Sequence, residues 1–368
     1  MSTRLSRCLK AMQTVGFWRS TENGKTPSLE LLHHGTVYAN QLQHHWLSMR
    51  QLAVNFGHIE HTTEMIDQSR FSFTHSKQFR EQFQQLRQSY PSRAKCPTVL
   101  KHQKSMPSNS KSNTIFQHQS NVTQLITDFF VDPHRGLEHF YNLQRESKIW
   151  WMRYSSNPSR YAIVPYDCHA DLEHCQAIDI KAGFGEAGEV TVEQLSLVPL
   201  PAGNDFELPD ARTTKMQLPM VIRSVIELEP ATCALLLDGC DHGRESRSLL
   251  LNRVLAPYQC GIVAMQKAEK SSTELHDLCA HMVDVLQSAR LRLHVIDDQG
   301  YSLAKNKEEM THHLEQSDCL GVPYMLLLDE RQSLTNGLMQ LRSRDTQLAE
   351  MIHISDLPDY LLNIFRSF

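Results

Sequence analysis

Residues 336–365, NGLMQLRSRDTQLAEMIHISDLPDYLLNIF, decide how this chain is read. Leu338, Gln340, Arg342 and Arg344 alternate with Met339, Leu341 and Ser343, the period of two that marks an extended strand. Asp345 or Thr346 can cap a short helix after it, and Ser355 or Asp356 a last one. In that last helix Leu357, Leu361, Ile364, Phe365 and Phe368 fall at i, i+4, i+7, i+8 and i+11, one apolar stripe. The run Arg342, Ser343, Arg344, Asp345 is too polar for a plain core strand, so its charges need partners inside the fold or outside it. An internal ion pair that fixes the strand end and a contact with a partner protein both meet that need.

Upstream of this stretch the pattern is regular. Strands at 259–265, 293–296 and 324–328 alternate with helices at 273–289 and 303–315, and Asn336-Gly337 turns into the opening stretch. The alternation predicts a small α/β domain with a mostly parallel sheet over residues 253–368. The preceding part, 22–252, is more mixed. Helices are predicted at 37–56 and 77–87, and two more across 121–153, broken at Asp132-Pro133. Strands are predicted at 161–166, 195–200 and 218–228, followed by a helix opening at Pro230. KAGFGEAGEV at 181–190 has three glycines but no Gly-Lys-Ser/Thr, so it reads as a hairpin turn and not a phosphate loop.

The 368 residues carry a formal charge of −4, which gives no global attraction to a polyanion. No apolar run approaches the length of a membrane span. Charge is nonetheless unevenly placed. No acidic residue occurs between Glu81 and Asp128, while Arg87, Arg93, Lys95, Lys101, Lys104 and Lys111 do occur there. Residues 105–113 lack periodicity, so 87–118 reads as a basic loop. It is either a phosphate-contacting segment or a solvated surface strip. The nine cysteines are scattered without paired spacing and read as free thiols of a reducing compartment. Cys168, His169, His174 and Cys175 match no zinc spacing, so neither a metal nor another cofactor is expected. The first 21 residues hold Arg4, Arg7, Lys10 and Arg19, several Ser and Thr, scattered apolar positions and no acid, the make-up of a mitochondrial presequence.

The C-terminal part resembles the anticodon-binding domain of class II aminoacyl-tRNA synthetases of the glycyl, prolyl, threonyl and histidyl group. The residues that carry this are Leu255-Ala256-Pro257-Tyr258-Gln259, Asp297-Asp298, Gly321-Val322-Pro323 and 337–345. A more specific resemblance, in 336–361, in Trp150-Trp151 and in Asn157-Pro158-Ser159, is to the accessory subunits of mitochondrial DNA polymerase, which are no synthetases. It implies a degenerate class II synthetase-like antiparallel sheet with helices, followed by an anticodon-binding-like domain with a five-stranded mixed sheet. It also implies a noncatalytic processivity function in the mitochondrial matrix and nucleoid. The implied partners are the catalytic polymerase subunit and double-stranded or primer-template DNA, with no membrane. The implied docking face includes Arg342, Arg344 and Asp345.

A working synthetase or a tRNA-binding relative is the rival reading. The Phe-Arg-x-Glu that clamps an α-phosphate in class II active sites is missing, since no Arg-x-Glu occurs in the chain. Gly239 to Arg244 is at best a decayed version of the second, glycine-flanked phosphate arginine. The helical insertion through which vertebrate members dimerise has little room here, so one-to-one pairing with the catalytic subunit is expected, with a homodimer as the alternative.

Overall fold

In the computed structural model the described residues are 3–21, 28–49, 53–61, 70–89, 94–107, 115, 117–118, 121–166, 175–242, 248–266, 273–294 and 300–366. The helices are α1 (Thr3–Val15), α2 (His33–Ser48), α3 (Lys77–Ser89), α4 (Gly136–Tyr154), α5 (Leu228–His242), α6 (Thr273–Ser288), α7 (Lys307–Cys319), α8 (Glu330–Asn336) and α9 (Leu357–Arg366).

The larger sheet has seven strands in the order Ala53–His61, Thr98–Pro107, Asn121–Val131, Met220–Glu227, Glu189–Pro199, Gln176–Gly183 and Tyr161–Pro165. Every neighbouring pair is antiparallel except the first, which is parallel. Both faces are covered. In the central strand Ile222 and Ile226 point to the core shared with α4 and α5, while Val221 points to α3. There Phe79, Phe83 and Leu86 of α3 meet Leu100, Phe130 and Val221. Such two-sided burial explains why 121–131 is a strand and not the predicted helix. Leu125 and Phe129 sit at helical spacing, but the β-branched Val122, Thr123, Ile126, Thr127 and Val131 suit a pleated surface filled on both sides. The predicted helix at 37–56 likewise divides, ending as α2 at Ser48 before the strand Ala53–His61.

Two buried polar clusters inside this sheet are paired internally. Glu193, fully buried, accepts hydrogen bonds from Ser147 Oγ (3.1 Å), Ser224 Oγ (2.7 Å) and Trp151 Nε1 (2.9 Å). On the α3 side Arg223 makes two 2.7 Å bonds to the buried Asp128 carboxylate, with its guanidinium 3.6 Å from the centroid of Phe73.

The second sheet runs Leu293–His294, Cys260–Met265, Tyr324–Asp329, Leu338–Ser343 and Ala349–His353, with Ser302–Ala304 also paired to Cys260–Met265. The pairings among the first three strands are parallel and the last two strands are antiparallel additions, giving the five-stranded mixed path expected. α6 and α9 pack on one face and α7 on the other. Three details differ from the sequence reading. The segment after Asp345 turns into the strand Ala349–His353 and not into a short helix. The helix expected at 303–315 starts at Lys307, because Ser302–Ala304 pairs into the sheet and Asn306 caps the helix by accepting from Glu309 N. α8, unforeseen, is capped by Asp329 and closed by the left-handed Gly337.

The N-terminal segment is built into the larger core. Leu5, Cys8, Leu9, Met12, Phe17 and Trp18 are all buried there with residues of α2, α4 and α5. Trp18 Nε1 donates to Leu9 O at 3.1 Å, and Leu32 N donates to Phe17 O at 2.9 Å. A Cβ on Gly35 would lie 2.2 Å from that same Phe17 oxygen, so the close approach of α2 demands glycine. Arg4, Arg7 and Lys10, expected of a presequence, thus share a helix with four core side chains, and Phe17 and Trp18 follow directly. The same core continues into the C-terminal part through Leu249, Leu251 and Leu255 to Val263, Val322 and Met325. The expected division at 252/253 falls inside this packed leucine segment.

Candidate nucleic-acid and partner surfaces

The charges of the opening stretch find their partners inside the fold. In the strand Leu338–Ser343, Met339 and Leu341 face the α6–α9 core, and Arg342 faces α7. Its guanidinium grips Asp318 with two bonds of 2.9 and 2.7 Å, and the Gln347 side chain adds a further bond. Arg344 is 3% exposed and reaches the segment that joins the two sheets. It donates to Gly321 O (2.6 Å), Leu251 O (2.8 Å) and Asp345 Oδ1 (2.9 and 2.6 Å). Asp345, one-third exposed, also lies 3.4 Å from Arg253. Gly321 has φ +73°, and a Cβ there would meet Leu251 Cδ1 at 2.9 Å, so the Gly-Val-Pro turn needs its glycine.

A second clamp holds the same joining segment one residue earlier, at Leu250, and no spacing along the chain announces it. Arg160 bonds Asp238 Oδ1 (2.6 Å), Gly183 O (3.2 Å) and Asp241. Asp238 Oδ2 accepts from Ser156 N (2.6 Å) and Asn157 N (3.1 Å), and Ser156 Oγ bonds Leu250 O. Burial pushes the Asp238 carboxyl upward, and those two N–H groups and Arg160 act against it. A Cβ on Gly239 would come within 2.5 Å of Leu250 O. The glycine read as part of a decayed phosphate loop therefore sits in the last turn of α5 and packs the joining segment, while 243–247 lie outside the described residues.

The six basic positions are dispersed. Arg87 is exposed near the end of α3, with Nη1 3.3 Å from Asp205 O, and Lys95 is exposed beside the Cys96 bridge. Lys101 is buried in the strand Thr98–Pro107, its amino group on Leu47 O at the end of α2. Lys104 belongs to the same strand, its side chain outside the described residues, as are Arg93 and Lys111 altogether. The region read as a basic loop is therefore partly helix and partly sheet: the strand continues through Pro107, into the residues expected to be irregular. Of the cysteine–histidine group, Cys168, His169 and His174 lie outside the described residues and Cys175 is half-buried. Among the described residues no three His, Cys, Asp or Glu groups are arranged to hold a metal.

The face of the second sheet beyond α7 is left partly open. A groove of about 400 Å³ is lined by Met265, Met310, Leu327, Leu338 and Gln340, with Lys307 at its rim. Met351 pairs directly with Gln340 and is 49% exposed, and Leu348 is 72% exposed. Ala349–His353 is the end strand of its sheet, with one edge unpaired among the described residues.

Residues 259–364 match the family model described as anticodon binding domain. Over 367 residues the chain is 56% identical to "DNA polymerase subunit gamma-2, mitochondrial" of Drosophila melanogaster, covering 99% of this chain and 100% of that protein. It is 27% identical over 241 residues to "DNA polymerase subunit gamma-2" of Mus musculus, covering 61% of this chain and 49% of the relative. It is 23% identical over 251 residues to a "Glycine--tRNA ligase" of Mycoplasmopsis synoviae, covering 65% of this chain and 52% of that protein. The matched region thus spans about half the length of the mouse and bacterial relatives. Matched from end to end by the fly protein, with an anticodon-binding domain at its C-terminal end, this chain belongs to the family of the DNA polymerase gamma accessory subunit.

Proposed function

We propose that this chain acts in mitochondria as the noncatalytic processivity subunit of the replicative DNA polymerase. It binds the catalytic subunit and duplex DNA and so raises the affinity of the complex for its template. The observation that carries this is the 56% identity with fly gamma-2 over the whole of both proteins. Mechanistically, a second point of attachment turns rebinding after a slip into an intramolecular event and needs no new chemistry.

Three features support the finer parts of this reading. Among the described residues of the larger sheet's part of the molecule, the deeply set arginines Arg70, Arg160 and Arg223 are each engaged by a carboxylate. With these three engaged and no Arg-x-Glu in the sequence, the phosphate charge of an activated intermediate would go unmet, a deficit worth at least 10²–10³-fold in rate. The open sheet face beyond α7 offers an apolar, methionine-rich docking surface, adaptable in the way such surfaces are. Arg342 lies on this same face, paired with Asp318 of α7, and Arg344 and Asp345 hold the strand's end. Residues 253–368 act as the docking domain, and pairing with the catalytic subunit is one-to-one. Sedimentation of the free chain at twice 42.3 kDa would contradict that stoichiometry.

Primer extension by the catalytic subunit with and without this chain tests the function. Longer products per binding event are expected, and no change sinks the proposal. ATP–pyrophosphate exchange with any amino acid, or tighter binding of tRNA than of duplex DNA, would favour the synthetase-like alternative instead. Met351→Glu with Leu348→Glu should weaken pull-down of the catalytic subunit while leaving the fold intact, because both side chains are exposed.

A further inference from the structure

The tertiary structure gathers cations that the sequence holds far apart. Residues 208–217 form a two-stranded hairpin in which Leu208 pairs with Gln217 and Pro209 with Met216. The hairpin is fastened to the segment that follows α3. Cys96 N donates to Pro209 O (2.9 Å), Ala211 N donates to Cys96 O (2.8 Å), and Phe206 and Leu208 share a core with Phe83, Leu86, Ala94 and Cys96. Arg87 at the end of α3 reaches back to Asp205 O. Lys95, Arg212 and Lys215, more than 110 positions apart in part, thereby come to one end of the molecule, and all are exposed. Neither Arg212 nor Lys215 stood out in the sequence, because each lies among neutral and acidic neighbours.

The turn also disposes of its own acid. Asp210 Oδ1 accepts from Arg212 N (2.8 Å), Thr213 N (2.6 Å) and Thr213 Oγ1 (3.0 Å), so this carboxylate is held against the backbone of the turn. Those bonds hold its carboxyl below the usual carboxylate range, so it stays ionised, turned towards the backbone of the turn with Arg212 beside it. On α3 the exposed positions Arg80, Gln84 and Arg87 form a stripe without an acid, about 10 Å long at 1.5 Å per residue. Glu81 at its side is paired with Lys77 at 3.5 Å. The other acids nearby are Asp205, exposed, and Glu207 and Asp132, half-buried, so with Asp210 four carboxylates stand against five exposed cations.

We propose that Arg80 and Arg87 of α3, Lys95, and Arg212 and Lys215 of the hairpin form one surface that contacts the phosphate backbone of duplex DNA. This rests on the proposed processivity function, and it replaces the loop-based assignment, from which Lys101 is withdrawn by its burial. The surface lacks exposed aromatic side chains among these residues, which would be needed to stack unpaired bases, so a paired, sequence-independent duplex is the ligand it fits.

The test is the salt dependence of binding a fluorescent DNA duplex to the full chain. Five phosphate contacts give a slope of log K against log salt of about −4.5, an affinity loss of about 500-fold between 50 and 200 mM salt. Arg212→Ala with Lys215→Ala should reduce the slope to about −2.7, or about 40-fold over the same range. Arg212→Lys should keep the wild-type slope, which guards against a change in folding. An unchanged slope in the double variant overturns the surface while leaving the processivity reading intact, provided the wild type still binds duplex and extends primers. Loss of catalytic-subunit pull-down by the double variant, with DNA slope unchanged, would assign the patch to an acidic protein partner and also overturn it. A wild-type chain that neither binds duplex nor stimulates extension would instead refute the underlying function.

Discussion

Arg342 and Arg344 show how a charge pattern changes meaning once its surroundings are known. Both side chains are buried, and both satisfy their donors internally, one on Asp318 and the other on two carbonyls and Asp345. Arg342→Ala leaves the buried Asp318 carboxylate without its main partner, and breaking a buried pair costs about 3–5 kcal/mol. A urea midpoint lowered in proportion is the expected result, and an unchanged midpoint would place that carboxylate in water. Arg344→Met should cost stability by leaving Gly321 O and Leu251 O unmet.

His294 supplies a pH-dependent counterpart. It lies against the Tyr258 ring (centroids 5.0 Å apart), near His34, which bonds Tyr258 Oη through Nδ1 at 2.8 Å, and beside Arg292. Burial first, and His34 second, lower its pKa from the ordinary 6.5 to about 4. A histidine that resists protonation only when folded contributes nothing unfavourable above pH 6.5. As pH falls from 6.5 towards 4 the unfolded chain takes up the proton first, and stability declines. Unfolding midpoints at pH 7 and 5.5 should therefore differ, and His294→Asn should shrink the difference. Equal differences in wild type and variant would assign the effect to other groups.

At the scale of elements, α1 is the part whose composition and position pull in different directions. Its basic and hydroxyl residues with no acid read as a targeting segment, yet it places Leu5, Cys8, Leu9 and Met12 in the main core, followed by Phe17 and Trp18. Burying such side chains contributes about 1.5–3 kcal/mol each for the larger ones, set against a net stability of about 5–15 kcal/mol for a domain. A chain starting at residue 22 should therefore lose its cooperative thermal transition. Circular dichroism would check this, and N-terminal sequencing of protein from mitochondria would show whether the helix is retained. A truncated chain that melts like the full one would make α1 dispensable. The element-level misreadings share one cause. Helical and strand spacing coincide for a few positions, so 121–131 and the end of 37–56, from Ala53 on, read as helical although their hydrogen-bonding neighbours make them strands.

For the whole molecule, the two sheets are joined by one core and two polar clamps, Arg344 with Leu251 and Asp238 with Arg160 and Ser156. That makes relative motion of the two parts costly, which suits the proposed link between polymerase and template. Asp238→Ala should loosen the joint and shorten primer-extension products more than it weakens catalytic-subunit binding. Equal loss of both would indicate plain unfolding. Its readouts are product length and pull-down, each at matched folded fraction.

The sequence alone determined the α/β alternation of 253–368, the turn at Gly337 that leads into the strand Leu338–Ser343, and the family to which they belong. Those features are encoded locally, in periodicity, in glycine turns and in short specific motifs. Only the tertiary structure decided which charges face inward, that α1 is a core helix, and that a hairpin at 208–217 stands beside Lys95. Burial and ion pairing are properties of neighbours brought together from distant parts of the chain, and spacing along the sequence carries no record of them.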